Sequence, residues 1–174
     1  MQRQVSYSEA IGNKYPEQIV IAIARDSKGK PNPITLGWTM IVSGTPPMMA
    51  VSIGKTRWSL QAVRQAREFV IAFPSEHQEE AAMLFGTRSG REMDKLAGAG
   101  VATQPAAAID GVLLAEAVAN FECTLVGEME AGDHVIFVGE VVRAHLNSEP
   151  LNRLYTVGAG YEMRGLARGQ GDGA

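Results

Sequence analysis

Residues 52–59, Ser-Ile-Gly-Lys-Thr-Arg-Trp-Ser, leave an apolar run, turn and enter a helical pattern. A helix N-terminus offers free N–H groups and a partial positive charge, which suit a phosphate. Around that turn, Lys55 and Arg57 add cationic charge, and the hydroxyls of Thr56 and Ser59 add neutral donors. The backbone of Ser52, Ile53 and Gly54 leads the chain into it. A plainer reading competes on equal terms, with Thr56 a simple N-cap and the two cations ordinary surface residues.

A second segment, Asn32-Pro33-Ile34-Thr35-Leu36-Gly37-Trp38-Thr39, places a glycine inside a strand-like run. A missing side chain there often marks close approach of a ligand to the backbone, and Trp38 beside it supplies a large flat surface. Gly37 as a β-bulge and Trp38 as a core residue would explain the same pattern. The third segment, residues 90–95 (GREMDK), brings a cation, Lys95, from far along the chain, although a solvated charged loop is the simplest account of it alone. A fourth, Gly132-Asp133-His134, opens a long strand, where a histidine usually bonds locally.

Other chemistries lack their residues. There is no Ser-His-Asp signal, no GxSxG, no phosphate-binding P-loop and no GxGxxG after a strand. His77, His134 and His145 are not at metal-ligand spacing, Glu79-Glu80 reads as a solvated helix face, and Cys123 reads as a buried thiol without chemistry.

The elements that must position these residues follow from periodicity. Residues 19–24, 34–43, 48–54, 68–73, 118–128 and 134–146 read as about six strands. Residues 1–18 read as a lead-in arm and 25–33 as a loop, while Pro46-Pro47 demands a connection. Two helices fit 58–67 and 76–85; Ser75 and Gln78 suggest a capping box for the second, and Gly86 ends it. Residues 86–111 read as irregular with one helical turn near 94–96, residues 130–133 as a hairpin turn, and residues 167–174 as a disordered tail. Short connections between neighbouring strands imply antiparallel pairing, and the order is not the alternating βαβ of a Rossmann sheet.

A chain of 174 residues, 45% hydrophobic and 20% charged, predicts one globular domain over residues 1–166. The net charge of −3 gives no basic footprint for nucleic acid. No apolar run approaches the roughly 20 residues that span a bilayer, and the polar N-terminus does not resemble a signal peptide. With a single cysteine, these features predict a reducing, cytoplasmic setting.

Taken in order, PNPITLGWTMIVSGTPPMMAVSIGKTRWS, EFVIAFP, SGREMDK, NFECTL and AGDHVIFVGEV resemble the flavin reductase-like family, and most closely its flavoredoxin-type branch. The resemblance covers roughly residues 15–165. It implies a mostly β fold with inserted helices, the FMN-binding split β-barrel of antiparallel Greek-key type, working as a homodimer. It implies that Thr35, Leu36, Gly37 and Trp38 line the isoalloxazine ring of non-covalently held FMN. Ser52, Ile53, Gly54, Thr56, Arg57 and Ser59 would hold the ribityl chain and phosphate, with Arg57 and Ser59 as donors and Lys95 as second cation. His134 would lie where NADH or NADPH approaches, and Tyr161 would belong to a segment closing over the site or the partner subunit.

Three functions remain open at this stage. The first is an NAD(P)H-dependent flavin reductase, serving a partner such as a monooxygenase. The second is an electron carrier of the flavoredoxin kind, fed by a redox protein. The third is a barrel that has lost its flavin. No ribose-reading motif separates NADH from NADPH.

Overall fold

The run 34–43, expected as one strand, is broken at Gly37-Trp38, and that break sets the architecture. The computed structural model describes residues 1–167. In chain order the first strands are β1 (Glu17–Gln18), β2 (Val20–Arg25), β3 (Pro31–Leu36), β4 (Thr39–Gly44), β5 (Pro47–Gly54) and β6 (Glu68–Phe73). Then come β7 (Thr103–Pro105), β8 (Val112–Leu114), β9 (Ala119–Ala131), β10 (His134–Leu146), β11 (Arg153–Gly158) and β12 (Glu162–Leu166).

Seven strands form one antiparallel sheet in the order β3-β2-β6-β9-β10-β5-β4. β3 and β4 therefore lie at opposite edges of the sheet. Only Gly37 and Trp38 separate them in sequence, and the three Cα steps from Leu36 to Thr39 span at most about 11 Å. The sheet must curl until its edges nearly meet. The result is a barrel left split along a seam, and the chain crosses that seam at Gly37-Trp38.

Sequence chemistry explains the two sides of this barrel. The IVIAIA run is buried on both faces of β2, as a near-continuous apolar run should be. Val20, Ala22, Phe69, Ile71, Val51, Ile53, Val135 and Phe137 fill the interior with Leu60, Ala62 and Val63 of helix α2 (Trp58–Ala66). On the outer side of β2 and β6, Ile21, Ile23, Val70 and Ala72 pack under Ala81, Ala82 and Phe85 of α3 (Glu79–Thr87) and the 109–117 segment. A smaller sheet, β1-β11-β12, lies alongside.

Several sequence expectations are corrected. The 1–18 arm contains a short helix, α1 (Tyr7–Ile11), and β1. The 25–33 loop is shorter than expected, because Pro31 already pairs with Arg25. The second helix begins as a 3-10 turn over Glu76–Gln78 and runs through Gly86 to Thr87. Gln78 does cap it from within, its Oε1 accepting from the Ser75 N–H at 3.1 Å. Residues 86–111 hold a five-residue helix, Lys95–Ala99, and β7, while β8, β11 and β12 were not anticipated. The expected tail lies, from residue 168 onward, outside the described residues.

One buried charge organises the 106–111 loop. Glu122 is fully buried and accepts the N–H groups of Ala107, Ala108 and Ile109 at 2.9, 2.6 and 3.1 Å, while His145 Nε2 lies 2.6 Å from its Oε1. Burial opposes ionisation most strongly, but the Ala107 N–H, His145 and the Ala108 N–H together outweigh it. They hold the carboxyl below its ordinary value.

Candidate functional site

At the seam, three clefts share residues and form one trough. The first, of about 190 Å³, is lined by Thr56, Arg57, Ser59, Arg88, Gly90 and Lys95 among others. The second, of about 250 Å³, is lined by Thr35, Leu36, Gly37, Trp38, Ser52, Gly54, Arg57 and His134 among others. The third adds Tyr15, Ala82, Met83 and Met163, and all three include Arg57 and Gly86. The fold thus gathers, from four distant stretches, nearly every residue that the sequence singled out. Ile53 and Lys55 are the exceptions: Ile53 is fully buried in the barrel core, and Lys55 turns away to pair with Glu130 at 2.8 Å, so neither lines the trough.

The first cleft is built to take an anion. Arg57 is the N-cap of α2, and no side chain caps the free N–H groups behind it. Thr56 is therefore not the N-cap. Lys95 is only 3% exposed and begins its helix behind the N-cap Asp94, rather than sitting in a solvated loop. Its Nζ donates to the carbonyls of Phe85 and Arg88 at 3.1 and 3.4 Å, which leaves a third N–H uncommitted. Among the described residues, neither Lys95 nor Arg57 makes an ion pair. Burial, and then the neighbouring Arg57 charge, push the Lys95 ammonium down to about 8. Glu92 lines the same cleft but pairs with neither cation, and a buried lysine left unpaired beside an arginine is costly unless an anion joins them. A phosphate fits that requirement in charge, size and donor set.

This gives a pH dependence. In the free protein Lys95 loses its proton as pH rises through about 8. A bound phosphate favours the ammonium and raises that value, so affinity for a phosphorylated ligand should be flat from about pH 7 to 8. Above this it should fall by up to about tenfold per pH unit. Fluorescence titrations at pH 7 and 9 check it; a Lys95→Met variant should be weaker at pH 7 and show no such fall.

The second cleft offers a flat, partly apolar surface. Trp38 is 49% exposed and so is not a core residue; its ring centroid lies 4.6 Å from that of His134, tilted by 43°. Gly37 stands outside the strand ladders rather than in a bulge. A Cβ there would lie 2.9 Å from Glu17 Cδ, so the side chain that approaches this glycine is a carboxylate, paired at 2.5 Å with Lys14. His134 Nδ1 lies 2.7 Å from Asp133 Oδ1, and this contact holds the Asp133 carboxyl below its ordinary value. Nε2 is the ring nitrogen turned toward Gly54 and the trough.

Sequence reasoning missed Arg88, Thr87, Lys14 and Glu17, all of which line the trough. Arg88 follows a helix expected to stop earlier, and the 14–17 stretch lay in an arm without pattern. Tyr161, placed loosely by resemblance, does border the trough and remains exposed.

Comparison with known proteins identifies the family and the fold. A family described as "Flavin reductase like domain" matches residues 12–163. An uncharacterized protein of Archaeoglobus fulgidus is 32% identical over 113 residues, 65% of this chain but just 64% of that protein's length. FMN reductase (NADH) SmoA of Agrobacterium fabrum is 32% identical over 147 residues, 84% of this chain and 79% of the relative. The reductase component of a Rhodococcus opacus 4-nitrophenol 4-monooxygenase/4-nitrocatechol 2-monooxygenase is 31% identical over 141 residues, 81% of this chain and 71% of that one. Among solved structures, flavoredoxin from Methanosarcina acetivorans superposes with a TM-score of 0.84 at 21% identity, covering 98% of this chain and 94% of that chain.

Proposed function

Because the chain belongs to the flavin reductase-like domain family, we propose that it binds FMN without a covalent bond and reduces it with NADH or NADPH. The observation that carries this reading is the buried Lys95, in no ion pair, beside Arg57 at an uncapped helix start. FMN supplies the hydride chemistry when bound; the protein binds, orients and shields it.

In this reading Arg57, Ser59, Lys95 and the first N–H groups of α2 hold the phosphate. Thr56 and the Ser52–Gly54 backbone border the ribityl chain. Thr35, Leu36, Gly37 and Trp38 form the wall against the ring. His134 stands at the open end, beside Trp38, where a nicotinamide would enter. No protein acid or base needs to act, which agrees with the lack of a catalytic constellation in the sequence. Anaerobic addition of NADH or NADPH should bleach the flavin band near 450 nm within milliseconds to seconds. A holoprotein that neither donor reduces would instead support a flavoredoxin-like carrier that draws electrons from a protein.

The outer face of β4, β5, β10 and β9 supports a homodimer. Met40, Trp38, Ile136 and Met129 form an apolar band across it, and β4 is an exposed edge. Such a band on an edge strand calls for a cover, and we assign that cover to a second copy. Trp38 borders both this band and the trough, so the partner would stand beside the flavin ring. A monooxygenase or redox protein would take the electrons onward, and the setting would be cytoplasmic; among the described residues no helix is long and apolar enough to cross a membrane.

A further inference from the structure

Asn32 lies behind the phosphate cleft and is 4% exposed. Its Nδ2 donates to Ser59 Oγ at 2.8 Å, and that is the one hydrogen bond its side chain makes. A hydroxyl that accepts a bond on one lone pair must send its own proton elsewhere. For Ser59, buried at the second position of α2, the open direction is the cleft that it lines with Arg57 and Lys95.

The amide is held in place by unusually close packing. A Cβ on Gly90 would fall 2.1 Å from Asn32 Oδ1 and 3.3 Å from Trp58 Cδ1, so the 88–92 loop closes on Asn32 only because residue 90 has no side chain. Two buried polar atoms of these residues have no hydrogen-bond partner, the acceptor Asn32 Oδ1 and the donor Trp58 Nε1. Arg91 stacks over the Trp58 ring at 4.9 Å and closes the outer side. Leaving such atoms unpaired is costly, so a polar residue at position 32 calls for a reason outside packing.

We propose that Asn32 is a positioning residue for the cofactor phosphate: by donating to Ser59 Oγ it fixes the serine hydroxyl as a donor into the cleft, and so helps the site choose FMN over riboflavin. This rests on the FMN reading above. The Asn32–Ser59 pair recognises the phosphate ester and leaves the ring alone.

The test compares Kd for FMN and for riboflavin, by flavin fluorescence, in the wild type, Asn32→Ala, Ser59→Ala and the double variant. Each single variant should weaken FMN about tenfold, since one charge-assisted hydrogen bond is at stake. The double should be no weaker than Ser59→Ala by more than about twofold, because the amide acts only through that hydroxyl. Riboflavin affinity should stay within about twofold throughout. Asn32→Asp, which keeps the shape but draws the serine proton toward itself, should weaken FMN alone and serves if the alanine variant does not fold. FMN binding unchanged in Asn32→Ala and Asn32→Asp, equal losses for both flavins, or additive losses would each overturn the role of Asn32 while leaving the FMN reading intact. A wild type that binds neither flavin would overturn both.

Discussion

Replacing Arg57 with alanine and Lys95 with methionine together is expected to weaken FMN binding by about two to four orders of magnitude. Each cation offers a charge-assisted hydrogen bond worth roughly 1.5–3 kcal/mol to a phosphate oxygen, and about 1.4 kcal/mol is tenfold in Kd. The two sit on different elements, Arg57 at the start of α2 and Lys95 at the start of the 95–99 helix, so neither replaces the other. Methionine suits position 95 because the site is buried: it removes an unpaired ammonium, and against that gain it takes the donor from the Phe85 and Arg88 carbonyls. Riboflavin affinity should barely change, which separates loss of the phosphate grip from unfolding. The purified double variant should be colourless where the wild type is yellow.

The second large effect is on assembly. Met40 and Met129 are exposed by 52% and 59% in the single chain, so lysine at both positions should leave the barrel folded. In a two-chain particle each lysine would be buried against apolar surface, at a cost of several kcal/mol per uncompensated charge. Light scattering at micromolar concentration should therefore give two chains per particle for the wild type and one for Met40→Lys/Met129→Lys. A wild type of one chain would contradict the dimer and leave the phosphate site untouched.

What could be read from the chain depended on how local each signal was. The helix at 58–66 and the strands at 68–73 and 134–146 carry their own periodicity, and the structure follows it to within a residue. β7 and β8 have three residues each, too few to show alternation, and exist because they pair with one another. The break at Gly37-Trp38 had one local mark, the glycine within a strand-like run, which a bulge would explain equally; it is the curling of a seven-stranded sheet that takes the chain across the seam there. Recognition of the family joined motifs that were each ambiguous; the trough brings together residues of three of them, while EFVIAFP and NFECTL build the sheet behind it.

Within the site, residue type was the readable signal. Arg57, Ser59 and Lys95 stood out because cations and hydroxyls near a helix start suit an anion. The sequence suggested a solvated loop for Lys95, whereas the structure buries it and thereby strengthens the case. Asn32 and Arg88 were harder to find, since one acts through Ser59 and the other enters the cleft only through the fold of the 86–92 loop. Glu122, lone in the apolar stretch NFECTL, carried a signal that could have been used: a charge in a central strand must have buried partners.

A crystal structure of the protein grown with FMN measures the central claim most directly. The phosphorus should sit in the pocket between the start of α2 and Lys95, with Arg57, Ser59 Oγ and Lys95 Nζ all within hydrogen-bonding distance of its oxygens. A flavin bound with its phosphate in open solvent, or held anywhere else on the molecule, would contradict the account.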